Sequence, residues 1–334
     1  MIHLPAQPIT FADFMERCLY DPHHGYYTSG RKIFGPGGDF YTSAQTHPLF
    51  AEILADAFAA LLEQSVGLTG PCDLVEFGPG DGVLAQNILA RLEQAHPSVA
   101  KVLRYTPVEV DGQPPDRISG IVFSNEFLDA LPVHRVRVRG GELKEIYVLR
   151  DPASGQITEM EGGLSDERIS AYMKTGFPRW HEEWDYEVNL HMVDWLHDLD
   201  RRIEKGFVVT IDYGFLKEEY DSVERAAGTI VSYSRHQVVV NPYLNPGKQD
   251  ITAHVNFSVI LETGREMGWS DRPLVTQREF MTSWGLEERL RQAEQRFREL
   301  NAEKVTELLH LKSLLIPGGI SDVMKVLVQE VRTS

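Results

Sequence analysis

The apolar positions of this chain change period along its length. Over residues 9–20, Ile9, Phe11, Phe14, Met15 and Leu19 recur at helical spacing behind Thr10, whose hydroxyl suits an N-cap. A short amphipathic helix is therefore predicted to open the protein, with a second helix over 47–64. Between 73 and 124 the pattern becomes short apolar runs, Asp73–Phe77, Leu103–Val110 and Gly120–Ser124, with a helical run from Ala85 to Leu92 after the first. Buried strands alternating with helices argue for a parallel α/β sheet. Residues 133–139 and 142–149 alternate about Gly140-Gly141 and predict a hairpin, with Arg135, Arg137 and Arg139 on what reads as a solvated strand face. Residues 151–183, broken by Pro152, Gly155, Gly162-Gly163 and Pro178, read as an inserted lid or linker. Beyond them the pattern predicts a helix over 187–204 and a buried strand over 206–214 that delivers Asp212 and Tyr213 to the sheet's carboxyl edge. A strand pair at 229–240, helices near 256–267, 276–284 and 286–312, and a closing strand over 322–331 complete the reading. The expected organisation is an N-terminal cap (1–70), a sheet core (71–135 and 205–334) and an inserted hairpin and lid region (136–204).

Candidate chemistry concentrates where the first core strand ends. Leu74-Val75-Glu76-Phe77-Gly78-Pro79-Gly80-Asp81-Gly82 reads as a buried strand, an acid, a tight glycine turn and the start of a helix. Glycine permits positive φ and close approach of a ligand to the backbone, and the helix N-terminus supplies free N–H groups, which together suit a nucleotide-like cofactor. Glu76 chooses among such cofactors, because a fixed carboxylate repels a pyrophosphate and welcomes an ammonium. S-adenosylmethionine carries an ammonium and no phosphate, and the GxGxG spacing of Gly78, Gly80 and Gly82 also departs from the dinucleotide fingerprint GxGxxG. A glycine-rich turn with no ligand is the competing reading. Glu109, after the second strand, stands where a carboxylate would hold the ribose hydroxyls of an adenosine; an ordinary exposed strand-end acid is the alternative there.

Glu126 and Asp129 follow the third strand at a spacing that would put both on one face of a helical turn at the cofactor edge. A guanidinium stays charged in water, so methylating it calls for acids that bind it bidentately. Helix N-terminal acids stabilised by the dipole explain the same spacing. The loops Tyr20–Tyr27 and Phe34–Ser43, rich in glycine, proline and aromatic residues, either line a site or cap the sheet.

Composition narrows the classes. At 334 residues the chain exceeds the ~100–200 of one typical domain. A net charge of −16 speaks against a surface that tracks nucleic-acid phosphates and is compatible with a basic protein or peptide partner. Cys18 and Cys72 have no CxxC spacing, and HExxH, G-x-S-x-G and EF-hand patterns are absent, so no metal is expected. Met1-Ile2-His3-Leu4-Pro5 lacks the marks of a targeting segment and no run of 18 apolar residues occurs, so a cytoplasmic protein without membrane insertion is expected.

Several runs carry a resemblance: Ile9-Thr10-Phe11, Leu19-Tyr20-Asp21-Pro22 with Gly25-Tyr26-Tyr27, and Gly38-Asp39-Phe40-Tyr41-Thr42-Ser43 come first. Leu74-Val75-Glu76 with the glycine turn, Ser124-Asn125-Glu126-Phe127-Leu128-Asp129-Ala130-Leu131-Pro132 and Ile211-Asp212-Tyr213-Gly214 follow. The last are Asp250-Ile251-Thr252-Ala253-His254-Val255-Asn256-Phe257 and Lys325-Val326-Leu327. Together they make the chain resemble, nearly end to end, the MidA family of bacterial and mitochondrial class I methyltransferases, whose mitochondrial member is a complex I assembly factor. The resemblance implies an α/β, Rossmann-like class I methyltransferase sheet with an N-terminal cap, a mid-chain insertion and helical C-terminal additions. It also implies methyl transfer from S-adenosyl-L-methionine to arginine in a protein substrate, such as a respiratory complex I subunit, with symmetric ω-N dimethylation in the mitochondrial relative. Glu76, Gly78, Gly80, Gly82, Glu109 and Asn125 are the expected cofactor residues, and Glu126 with Asp129 the expected catalytic pair. One departure stands out. The family places a helix and a further strand between the acid after the second strand and the Asn-Glu-Phe run, whereas only Val110–Ser124 follow Glu109 here. Either the sheet is trimmed on its adenine side or the second strand lies elsewhere. A noncatalytic assembly or scaffolding protein of the same fold is the alternative function, and a nicotinamide-dependent oxidoreductase a third, opposed by Glu76 and the glycine spacing.

Overall fold

The computed structural model describes residues 2–5, 7–30, 48–65, 70–110, 112–151, 153–234, 237–239, 241–296 and 320–331. The expected loop Phe34–Ser43 and the predicted C-terminal helix beyond 296 lie outside the described residues. The chain forms two compact units, the first from Met1–Phe40, Leu128–Asp198 and Gly214–Glu266, the second from Tyr41–Phe127, Leu199–Tyr213 and Met267–Ser334. Among the described residues no helix is long and apolar enough to cross a membrane.

In the first unit, the opening helix Phe11–Tyr20 starts where the sequence predicts, because Thr10 accepts the Asp13 N–H and the Asp13 carboxylate answers the Thr10 N–H in a capping box. Its apolar face buries Phe11, Phe14, Met15 and Leu19, and the Phe11 and Phe14 rings meet Tyr243. The hairpin forms as expected, His134–Arg139 against Glu142–Arg150, with Gly140 and Gly141 both at positive φ. Its arginines are ion-paired, with Arg135 and Arg137 largely covered and Arg139 still 40% exposed. The strand Asp185–Val188 pairs with the hairpin so that Arg137 faces Asp185 across the ladder, and Ile157–Gly162 adds Glu159 and Glu161 from the other side. Arg137 bonds both Asp185 oxygens (2.5 and 2.8 Å), Arg139 bonds Glu161 (3.0 Å), and Arg135, 11% exposed, bonds Asp185 (2.9 Å) and Glu159. Spacing within one strand showed the arginines; the acids arrive from strands distant in sequence.

Two other expectations change. The predicted lid at 151–183 contains the strand Ile157–Gly162 and the helix Arg168–Gly176. The predicted helix at 187–204 is a strand, Asp185–Val188, followed by the helix Leu190–Arg202, and the break falls at Asn189, whose side-chain oxygen accepts the Met192 N–H (2.8 Å) as an N-cap would.

The second unit is built on one sheet. Its main elements are α1 (Pro48–Ser65), β1 (Cys72–Phe77), α2 (Val83–Ala95), β2 (Leu103–Val108), β3 (Ile118–Asn125), β4 (Ile203–Phe215), β5 (Ser270–Asp271), β6 (Val275–Thr276), α3 (Gln277–Ser283), α4 (Leu286–Arg296) and β7 (Met324–Val331). The strand order is β5-β7-β4-β3-β1-β2, with β6 also on β7. Strands β1 to β4 are mutually parallel and β7 runs antiparallel to β4. Leu74, Ile121, Phe123, Phe207, Val209 and Ile211 bury one sheet face under α1 and α2 in the main core. That burial stabilises the sheet by about 25 cal/mol per Å² of apolar surface removed from water.

The departure noted in the sequence resolves here. β2 lies where the sequence places it, stopping at Val108, and among the described residues it pairs only with β1. The described residues of the strap between Val108 and Ile118, 109–110 and 112–117, hold no helix. Pro114 and Pro115 keep the strap extended, and Arg202 ties it down by donating to the carbonyls of Pro114 (3.4 Å) and Pro115 (3.5 Å) and to Asp116 (3.3 Å). Among the described residues the sheet is the trimmed one.

Candidate functional site

β1 has β2 on one side and β3 on the other, all parallel, so the chain reverses its winding direction beside β1. A crevice for ligands opens beyond the carboxyl ends of strands at such a switch point. The sequence puts its glycine turn there. Gly78, Gly80 and Gly82 all have left-handed backbones (φ 69°, 58° and 73°), a region that costs other residues energy. Space is also limiting at the first of them, since a Cβ on Gly78 would lie 3.1 Å from the Phe127 ring. The turn closes through Gly82 N–H to Pro79 C=O (2.9 Å), and Asp81 accepts the Val83 N–H (3.2 Å) at the start of α2.

Glu76, only 2% exposed, is the penultimate residue of β1, just before this turn. The Tyr105 hydroxyl, from β2, donates to its Oε2 at 2.5 Å. Burial pushes the Glu76 carboxyl up from 4.5 to about 7, Tyr105 pulls it partly back, and the nearby Glu109 carboxylate pushes it up again. Glu109 itself reaches the turn, its Oε1 accepting the Gly80 N–H at 3.1 Å. Two acids thus crowd one glycine turn, a field that disfavours a pyrophosphate and favours a cation.

Asn125 ends β3. β1 and β3 pair Glu76 with Phe123, so Asn125, two residues on, shares the Glu76 side of the sheet. Its amide nitrogen donates to Glu126 Oε1 (3.2 Å), while its buried Oδ1 has no hydrogen-bond partner among the described residues. A buried acceptor without a donor is unfavourable by about 1–3 kcal/mol, and a ligand N–H or O–H would satisfy it. These acceptors, Asn125 Oδ1 and the Glu76 carboxylate, fit the ammonium and hydroxyl donors of S-adenosylmethionine.

The expected helical turn carrying Glu126 and Asp129 is absent. Glu126 has a left-handed backbone (φ 53°), its N–H goes to the Ile211 carbonyl (2.9 Å), and the Phe127 N–H goes to Asp212 Oδ2 (3.2 Å). Those bonds to β4 replace the helical ones, and a tight turn closed by Leu131 N–H to Leu128 C=O (3.3 Å) follows. Glu126 belongs to the second unit with the other expected site residues; Asp129 belongs to the first, where it is buried and its carbonyl accepts the Ala253 N–H (2.9 Å). Sequence reasoning did not single out Tyr105. Its signal lies in the strand register, which sets it beside Leu74, on the Glu76 side of the sheet.

Comparison with known proteins fits this geometry. The family described as "Putative S-adenosyl-L-methionine-dependent methyltransferase" matches residues 50–117 and 110–273. The chain is 25% identical to the protein arginine methyltransferase NDUFAF7 homolog, mitochondrial, of Drosophila melanogaster, over 79% of this chain and 68% of that protein. To the Homo sapiens protein arginine methyltransferase NDUFAF7, mitochondrial, it is 24% identical over 85% of this chain and 71% of that one. A Burkholderia thailandensis crystal structure with S-adenosyl-homocysteine bound is 28% identical with a TM-score of 0.81, over 97% of this chain and 88% of that chain.

Proposed function

Given that the chain belongs to the MidA family of S-adenosyl-L-methionine-dependent methyltransferases, we propose that it methylates arginine in a protein substrate. When bound, the cofactor supplies a methyl group already activated on a sulfonium. The chain's own work is then alignment and charge placement. In this reading Glu76 accepts the cofactor's ammonium, Asn125 Oδ1 takes a second donor, the glycine turn lets the ligand approach the backbone, and Glu109 takes the ribose hydroxyls. Glu126, held by Asn125 at the end of β3, binds the guanidinium and draws its positive charge away from the nitrogen that attacks the methyl carbon; the carbon–sulfur bond breaks to leave S-adenosyl-homocysteine, and the displaced N–H proton passes to solvent. The part expected of Asp129 rests on its sequence spacing. The observation that carries the reading is the buried Glu76 carboxyl, raised to about 7 beside a second acid at a glycine turn. A protein substrate is supported by the names of the relatives; symmetric dimethylation and a respiratory complex I subunit as substrate are the finer parts of the proposal.

Two measurements test it. Gly80→Val forces a β-branched residue into a left-handed backbone and is expected to abolish S-adenosyl-homocysteine binding in calorimetry with the fold retained; unchanged affinity refutes the site. Mass spectrometry of arginine-containing peptides from host cells with and without the gene is expected to show methylarginine lost at a defined protein site. Cofactor binding with no lost methylarginine would favour a noncatalytic assembly protein.

A further inference from the structure

Asp212 is fully buried at the carboxyl end of β4, and both its oxygens are engaged by backbone. Oδ1 accepts its neighbour Tyr213 N–H (2.8 Å); Oδ2 accepts the Phe127 N–H (3.2 Å) from the segment that leaves β3. Beside it the Ile211 carbonyl accepts the Glu126 N–H (2.9 Å). β4 therefore clamps two successive amides just after β3. Between those anchors Glu126 is held at φ 53°, a conformation a glutamate does not choose by itself. Phe127, fixed by its amide, lays its ring 3.1 Å from where a Gly78 Cβ would stand and 5.7 Å, centroid to centroid, from Phe77. The ring buttresses the first glycine of the turn, and the turned backbone aims the Glu126 side chain toward Asn125.

From this geometry we infer that Asp212 is a positioning residue for the methyl-transfer site: its carboxylate holds Glu126 in the left-handed conformation and Phe127 against Gly78, without touching cofactor or acceptor. The inference rests on the reading of the glycine turn as the cofactor site. A neutral amide at 212 has one acceptor oxygen for two N–H donors, so Asp212→Asn must release one amide or face it with its own NH₂. Glycine at 126 adopts the left-handed backbone without strain and lessens the need for the clamp.

The test is a double-mutant cycle read by S-adenosyl-homocysteine calorimetry. Asp212→Asn is expected to weaken binding at least tenfold in the wild-type background and less than threefold in the Glu126→Gly background. Equal weakening in both backgrounds, or none in either, overturns the inference. A second measurement needs no variant at 212. In wild-type protein the Phe127 amide is expected to exchange with deuterium as slowly as the interior amides of β3, and exchange at the rate of an exposed loop overturns the clamp. If wild-type protein fails to bind S-adenosyl-homocysteine, the cofactor-site reading falls, and the exchange rate still decides whether Asp212 holds Phe127.

Discussion

Replacing Glu76 by glutamine should make the protein more stable and its cofactor site worse. Folding buries this carboxyl and lifts it from 4.5 to about 7. The folded state therefore keeps its proton to higher pH than the unfolded chain, so this group's contribution to stability falls as pH rises from about 4.5 to about 7 and is flat above. At about 1.4 kcal/mol for each tenfold change in proton affinity, the whole loss is about 3 kcal/mol. Glutamine does not titrate and still offers an oxygen to the Tyr105 hydroxyl. Part of the gain is lost to the amide NH₂, which needs an acceptor that a carboxylate does not, leaving a gain of up to about 2 kcal/mol at pH 8 and none at pH 5. Thermal unfolding followed by circular dichroism at both pH values reads this as a rise in Tm of a few °C, roughly, at pH 8 only. The same variant should lose at least tenfold in S-adenosyl-homocysteine affinity at pH 7 if Glu76 accepts the ammonium. A Glu76→Gln protein less stable than wild type at pH 8 would refute the argument, because the carboxylate would then be satisfied in the free protein. The opposition of signs is what a site kept strained for a ligand should show.

Other predictions follow from neighbouring contacts. Tyr105→Phe removes the hydrogen bond that pulls the Glu76 carboxyl down, so the pH at which cofactor affinity reaches half its maximum should move upward; an unmoved midpoint in a pH series of calorimetric titrations contradicts that. Arg135→Ala takes one partner from the buried Asp185, which keeps Arg137, and from the exposed Glu159, and should cost about 1–3 kcal/mol in urea unfolding, whereas no measurable loss would mean the arginine ladder is solvated after all. Thr10→Ala removes the capping box of the first helix and should cost about 0.5–2 kcal/mol in the same assay, and no loss would deny the cap.

What could be read from the sequence was whatever depends on neighbours along the chain. The Thr10 cap, the hairpin about Gly140-Gly141 and the strand-to-glycine-turn at Glu76–Gly82 each rest on local spacing, and each is present. The site features that escaped depend on strands meeting across the sheet. Tyr105 reaches Glu76 only because β2 pairs with β1, and Glu109 reaches Gly80 for the same reason. Glu126 looked helical because i and i+3 acids after a strand commonly open a helix, but its amide and that of Phe127 are claimed by Ile211 and Asp212, more than eighty residues onward. The Arg135, Arg137 and Arg139 stripe looked solvated for want of Asp185, which enters from a strand whose second half the local pattern assigned to a helix and whose first half it left between that helix and the linker.

The central claim is that a buried carboxylate at the glycine turn holds a cationic cofactor, and the pH dependence of binding tests it most directly. S-adenosyl-homocysteine titrated calorimetrically into wild-type protein between pH 5.5 and 7 should bind about tenfold tighter at the upper end, because only the deprotonated Glu76 accepts an ammonium, and binding near pH 7 should release protons. Affinity that stays constant across this interval with no proton release, or absence of binding throughout, would contradict it.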